Sequence, residues 1–168
     1  MSRPTLFLSA SVLAAVVALD QIVKAAVRTS LAVGESFHVF GPVRITHVAN
    51  TGSVFGLGQG HVIVPTIASI VILIALPVAL RRARSQYGYS PSAPEAFCLA
   101  LVAGGAIGNL IDRVVFAGVT DFIDVELVPG FHWPAFNLAD SCIVVGTLVL
   151  LFFLQRRGVF NATVDSAG

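Results

Sequence analysis

Charge is what this chain has least of. Asp, Glu, Lys and Arg make up 11% of its 168 residues, where soluble domains carry about 25%. That scarcity excludes an ordinary solvated fold. With 56% hydrophobic residues and a mean hydropathy of +0.89, the composition is that of an integral membrane protein. The net charge of +1 comes without any basic block, so nothing points to nucleic acid. Cysteine is limited to Cys98 and Cys142, both inside apolar runs, which excludes a disulfide framework and leaves two small core thiols. The four histidines are scattered and form no HExxH pair, so neither a metal centre nor a cofactor is expected.

What is present is a set of long apolar runs. A bilayer-spanning helix needs about 20 mainly apolar residues. Four segments qualify: 5–27, 61–80, 95–116 and 137–155. The first follows Arg3 in the manner of a signal peptide. It is long for one, however, and meets Asp20 and Lys24 without a small-x-small cleavage site, so it reads as an uncleaved span. Of the ten Lys and Arg, six (Arg3, Arg81, Arg82, Arg84, Arg156 and Arg157) fall on one side of a four-span chain. Basic flanks mark the cytoplasmic side. Both termini and the 81–94 loop are therefore expected in the cytoplasm, with 28–60 and 117–136 outside. Within 36–49, Val, Phe, Ile and Thr surround Gly41-Pro42, which reads as two short strands about a turn. The expected fold is a mainly α, single-domain four-helix membrane bundle. A small outer β-rich cradle would be joined by a short loop or helix over 117–136.

Ionisable residues in a bilayer are costly and face a protein interior or a wet cavity. Here they gather near the outer ends of three spans: Asp20 and Lys24; Asn109, Asp112 and Arg113; Asn137, Asp140 and Ser141. One shared site at that interface is expected, and each member also has a plainer explanation. Asp20 and Lys24 are spaced i,i+4 and suit a helical ion pair. Ala100, Gly104 and Gly108 make a small-residue stripe for close helix packing, and Asp112 continues it. Arg113 is long enough to snorkel to headgroups. Asn137 fits an N-cap with Asp140 at N3. A nucleophilic Ser141 or Ser53 lacks any supporting motif. Paired carboxylates are better supplied, because two held close share a proton, and one can activate water while the other polarises a carbonyl. Spacing leaves Asp121, Asp124, Asp112 and Asp20 all open as partners for Asp140.

Five stretches narrow the choice. "DQIVK" (20–24), "NTGSVFG" (50–56), "GGAIGNLIDR" (104–113), "VTDFID" (119–124) and "FNLADS" (136–141) occur in the order and spacing of the lipoprotein signal peptidase boxes. The chain resembles that family, signal peptidase II, a group of aspartic membrane endopeptidases. The resemblance covers 20 to 141 and implies four spans with an outer β-cradle. It implies cleavage of bacterial prolipoproteins on the amino side of a diacylglyceryl-modified cysteine, at the outer face of the inner membrane and without a cofactor. Carried onto this sequence, the catalytic pair falls on Asp121 and Asp140, and Asp124 is demoted. Asn50, Asn109, Arg113 and Asn137 match polar positions lining the site. Asp20 and Lys24 match a box that holds the architecture together. The expected partners are diacylglyceryl-modified prolipoproteins and membrane lipids, with the enzyme a monomer. Two other classes compete. A small ion-coupled transporter predicts midplane charges and internal symmetry, and neither is evident. A helix-binding scaffold leaves the clustered Asp, Asn and Arg unexplained.

Overall fold

The computed structural model describes residues 2–52 and 63–158. Its elements run α1 (Arg3–Ser30), β1 (Ser36–Phe40), β2 (Val43–Asn50), α2 (Ile63–Tyr87), α3 (Ala93–Phe116), β3 (Val119–Val128), β4 (Phe131–Phe136) and α4 (Leu138–Arg156). Among the described residues, four helices are long and apolar enough to cross a bilayer. Three of them start on recognisable chemistry. Ser2 caps α1 through the Thr5 N–H, with Pro4 in the first turn. Ser92 precedes α3 and donates its N–H and hydroxyl to Glu95 Oε2, at 2.6 and 2.8 Å. Asn137 and Asp140 form a reciprocal capping box on α4.

Helix α3 is the centre of the bundle and packs against α4, α1 and α2. Half of its span is buried, against 11% or less for each of the other three, whose surfaces are left for lipid. Small residues permit this packing. A Cβ on Gly104 would lie 3.0 Å from Val16 of α1, and one on Gly108 would lie 2.6 Å from Asp20 Oδ2. Gly105, one position round the helix, faces α4 instead, where a Cβ would run into the Ala139 carbonyl. The stripe therefore seats α1 on one side and its neighbour Gly105 seats α4 on the other.

The strands form one antiparallel sheet in the order β1-β2-β3-β4. The hairpin about Gly41-Pro42 is the one expected from the sequence. Residues 117–136 differ from expectation: they form not a short loop or helix but a second hairpin, β3–β4, turning at Pro129-Gly130. Apart from Asp121, the odd positions from Val119 to Leu127 are apolar, while Thr120, Asp124 and Glu126 alternate with them. Pro134 is tolerated because β4 is an edge strand and its ladder is irregular between Ile123 and Val125. Helix α2 also runs on to Tyr87, carrying Arg81, Arg82 and Arg84 within it, so only 88–92 remains between α2 and α3. Nothing in "RRARSQY" breaks a helix. Gly88, at φ +63°, stops it, with the Tyr89 N–H returning to the Ala83 carbonyl. The start of the expected second span, 61–62, and the "NTGSVFG" box beyond Gly52 lie outside the described residues.

Candidate active site

Two carboxylates reach one place from two directions. Asp121 lies on β3, a central strand, and is 2% exposed. Asp140 stands in the first turn of α4 and is half-buried. Asn137, completely buried, ties them together. Its Nδ2 donates to Asp121 Oδ1 at 2.7 Å, and its Oδ1 accepts the Asp140 backbone N–H at 2.9 Å. That second bond fixes which end of the amide is oxygen, and so turns the nitrogen toward Asp121. Asn50 Nδ2 donates to Asp121 Oδ2 at 2.8 Å, and Asn109 Nδ2 donates to Asp140 Oδ1 at 2.7 Å. Asn50 arrives on the end of β2 and Asn109 on α3, so four elements converge. Gly118 lets the chain leave α3 close to β2: a Cβ there would sit 3.1 Å from the Asn50 carbonyl oxygen.

Beneath this pair lies a second layer. Lys24, with 0% exposure, is 2.8 Å from Asp20 Oδ2 and 3.4 Å from Asp112 Oδ2, and it donates to Asn109 Oδ1 at 2.9 Å. An ammonium only donates, so Lys24 holds the Asn109 carbonyl toward itself and presents the amide nitrogen to Asp140. Asp20 also accepts the Ala139 N–H at 3.0 Å, which anchors the start of α4 to α1. Asp112 accepts from the Thr120 N–H at 2.9 Å and from Gln21 Nε2 at 3.1 Å, anchoring the start of β3. Arg28 completes this join, donating to Thr120 Oγ1 at 2.9 Å. The layer thus sets the positions of both elements that carry the two upper carboxylates.

Electrostatics distinguish the pair from its surroundings. Burial pushes the Asp121 carboxyl up from an ordinary 3.8 to about 7. The hydrogen bond from Asn50 opposes that rise, the charge of Asp140 adds to it, and the Asn137 bond and Lys24 oppose it. Arg113 does not snorkel outward. It donates to Ser69 Oγ of α2 at 3.0 Å and lies within electrostatic reach of Asp140, Asp121 and Asp112.

All eight residues singled out in the sequence are brought together: Asp121, Asp140, Asn50, Asn109, Arg113, Asn137, Asp20 and Lys24. The i,i+4 pair of Asp20 and Lys24 is real but is only one edge of a larger network. Asp112 and Asp20, both open as partners of Asp140 on spacing alone, are engaged by cations. Asp124 turns to Thr46 Oγ1 at 2.9 Å and His132 Nδ1 at 2.6 Å. Gln21, Arg28, Thr120 and Ser69 are the contributors that sequence reasoning missed. Gln21 sits inside the "DQIVK" box and was within reach. Ser69 lies in an otherwise apolar span and carries no local signal. Among the described residues, no three His, Cys, Asp or Glu side chains group so as to hold a metal ion.

Four bilayer-length helices with a carboxylate-rich polar site at one end define a multi-pass membrane protein built around buried acid groups. Similarity to known proteins narrows that class. The family model described as signal peptidase (SPase) II matches residues 12–156. A lipoprotein signal peptidase of Desulforapulum autotrophicum is 39% identical over 157 residues, covering 89% of this chain and 90% of its own. One from Syntrophomonas wolfei is 41% identical over 144 residues, covering 85% and 89%. A bacterial membrane enzyme solved by the in meso method at 2.3 Å resolution superposes with a TM-score of 0.72 at 34% identity, over 88% of this chain and 87% of that one. A second, at 1.9 Å resolution, gives 0.69 at 30% identity, over 87% and 91%. The chain belongs to the signal peptidase II family, and it is a peptidase of the inner membrane.

Proposed function

We propose that this chain removes signal peptides from bacterial prolipoproteins, cutting on the amino side of a diacylglyceryl-modified cysteine with water activated between Asp121 and Asp140. The observation that carries this reading is the joining of the two carboxylates through Asn137, with Asp121 held near neutrality by burial. The family and its relatives' names support the substrate class.

In this mechanism Asp121 carries the shared proton and donates it as a hydrogen bond to the scissile carbonyl oxygen. Asp140, the less buried of the two, takes a proton from the attacking water. The carbonyl oxygen gains the Asp121 proton as the tetrahedral intermediate forms. On collapse the proton held by Asp140 passes to the departing amine of the cysteine, and the hydroxyl proton returns to Asp121. Asn109 and Asn137 hold the carboxylates in register, and Arg113 offsets the negative charge. The peptidase is a monomer using no metal or organic cofactor, and its signal-helix substrate lies among the spans with the acyl chains in surrounding lipid. The arginines at the far ends of α2 and α4 support a topology with both termini in the cytoplasm and the site near the outer face. The sheet closes over the site and limits bulk water.

Cleavage of a purified lipobox peptide tests this. Wild-type protein should cut the diacylglyceryl-modified peptide and leave the unmodified one intact. Asp121→Asn and Asp140→Asn should each lower the rate by roughly 10²–10⁴-fold or more, with lipopeptide binding retained. Normal turnover by either variant would sink the assignment.

A further inference from the structure

Helix α2 carries none of the five boxes and leaves most of its surface to lipid, yet it has one polar join to the site. Ser69 is the only buried residue of α2, at 6% exposed, and α2 meets the bundle through α3. A hydroxyl has one proton to give. Ser69 gives it to the Pro65 carbonyl at 3.1 Å, one turn back in its own helix. Its lone pairs are left for α3, where they accept from Arg113 Nη1 at 3.0 Å.

Arg113 stands one turn beyond Asn109 and two beyond Gly105, in the row of α3 that meets the start of α4. Its guanidinium is within electrostatic reach of Asp140, Asp121 and Asp112. Among the described residues, however, it forms an ion pair with none of them, and Ser69 is its one hydrogen-bond partner. Two other places compete for a guanidinium here. A direct bond to Asp140 would be charge-assisted and strong, but it would occupy the carboxylate that takes the proton from water. A side chain of this length could also swing out to the headgroups and withdraw its charge. The hydroxyl on α2 holds it in neither place.

We propose that Ser69 is a positioning residue for the reaction, tethering the Arg113 guanidinium beside the carboxylate pair and out of an ion pair with Asp140. The charge is thereby available to the oxygen that becomes negative in the transition state while the base stays open to water. The inference rests on the assignment of Asp121 and Asp140 as the reacting pair.

Wild type, Ser69→Ala, Arg113→Ala and the double variant would be compared on the diacylglyceryl-modified peptide, with melting temperatures taken on the same preparations. Ser69→Ala should lower kcat by on the order of tenfold, the effect of losing a hydrogen bond to a charged group. KM and melting temperature should change little. In the Arg113→Ala background the same substitution should have no further effect. Ser69→Thr, which keeps a hydroxyl, should restore most of kcat. Three results overturn the proposal. One is a normal kcat in Ser69→Ala. Another is an equal loss with and without Arg113, the mark of a packing role for α2. The third is a loss confined to KM, which would assign Ser69 to substrate binding. Each leaves the carboxylate mechanism standing, whereas normal turnover by Asp121→Asn or Asp140→Asn would remove both.

Discussion

Lys24 shows how much of this site depends on single side chains. Its ammonium is fully buried and is sustained by Asp20, Asp112 and Asn109. Lys24→Met would leave Asp20 buried without its cation and Asp112 with Arg28 alone, a change that costs roughly 3–5 kcal/mol. A lowered melting temperature in detergent should report it. Cleavage should fall further than stability, because the Asn109 carbonyl would keep only the longer bond from Asn137 Nδ2, at 3.1 Å, to hold its amide toward Asp140. Asp121 makes a pH prediction. Its folded carboxyl binds a proton more tightly than the unfolded one, so between about pH 4 and 7 the folded chain holds a proton that the unfolded chain has released. Stability should therefore decline as pH rises through that window, by on the order of 4 kcal/mol, and level off above it. Thermal melts across the range should show the slope in wild type and lose it in Asp121→Asn. Cleavage should likewise weaken as pH passes about 7 and the proton on Asp121 is lost. Asp124→Asn should keep near-normal cleavage, since Asp124 serves Thr46 and His132 on the other side of the sheet. Which aspartate pairs with Asp140 was legible in the sequence only through the family boxes. Spacing carries no information about which carboxylates Lys24 and Arg28 engage.

At the level of elements, α3 makes the site possible by being thin. Gly105→Ala would drive a Cβ into the Ala139 carbonyl and to 2.8 Å from Ile143 Cγ1. A backbone carbonyl cannot step aside as a flexible side chain can. Overpacking of this kind costs about 1–3 kcal/mol or more, and here the displaced residue is the neighbour of Asp140. Gly105→Ala should thus reduce melting temperature and cleavage together, as paired melts and peptide assays on one preparation would show. The stripe of Ala100, Gly104 and Gly108 was readable from its four-residue spacing. Gly105 was not, because a lone glycine off the stripe has no periodicity to betray it. The β3–β4 hairpin was obscured for a different reason. Asp121 interrupts the apolar side of β3 and Phe122 the polar side, so the residue proposed for catalysis is one of two that break the alternation by which a strand is recognised.

Across the whole molecule, the arginines at the start of α1 and the ends of α2 and α4 lie at the opposite end of the bundle from the polar site. If the basic end is cytoplasmic, a cysteine placed at Gln86 in a Cys98→Ser/Cys142→Ser background should resist a membrane-impermeant thiol reagent in intact cells and react after lysis. A cysteine at Gly34 should react in both. The reverse pattern would invert the proposed topology. The spans themselves, their number and the hairpin at Gly41-Pro42 were determined by sequence alone. Hydrophobic length, basic flanks and turn residues are local quantities, and a bilayer leaves helices few alternatives. What only the tertiary structure decided is the partnering of the polar groups: Asn137 between two carboxylates, Lys24 between two others, and Arg113 turned inward. Those depend on elements far apart in the chain meeting at set distances, and proximity in space is not a property that any single stretch of residues carries.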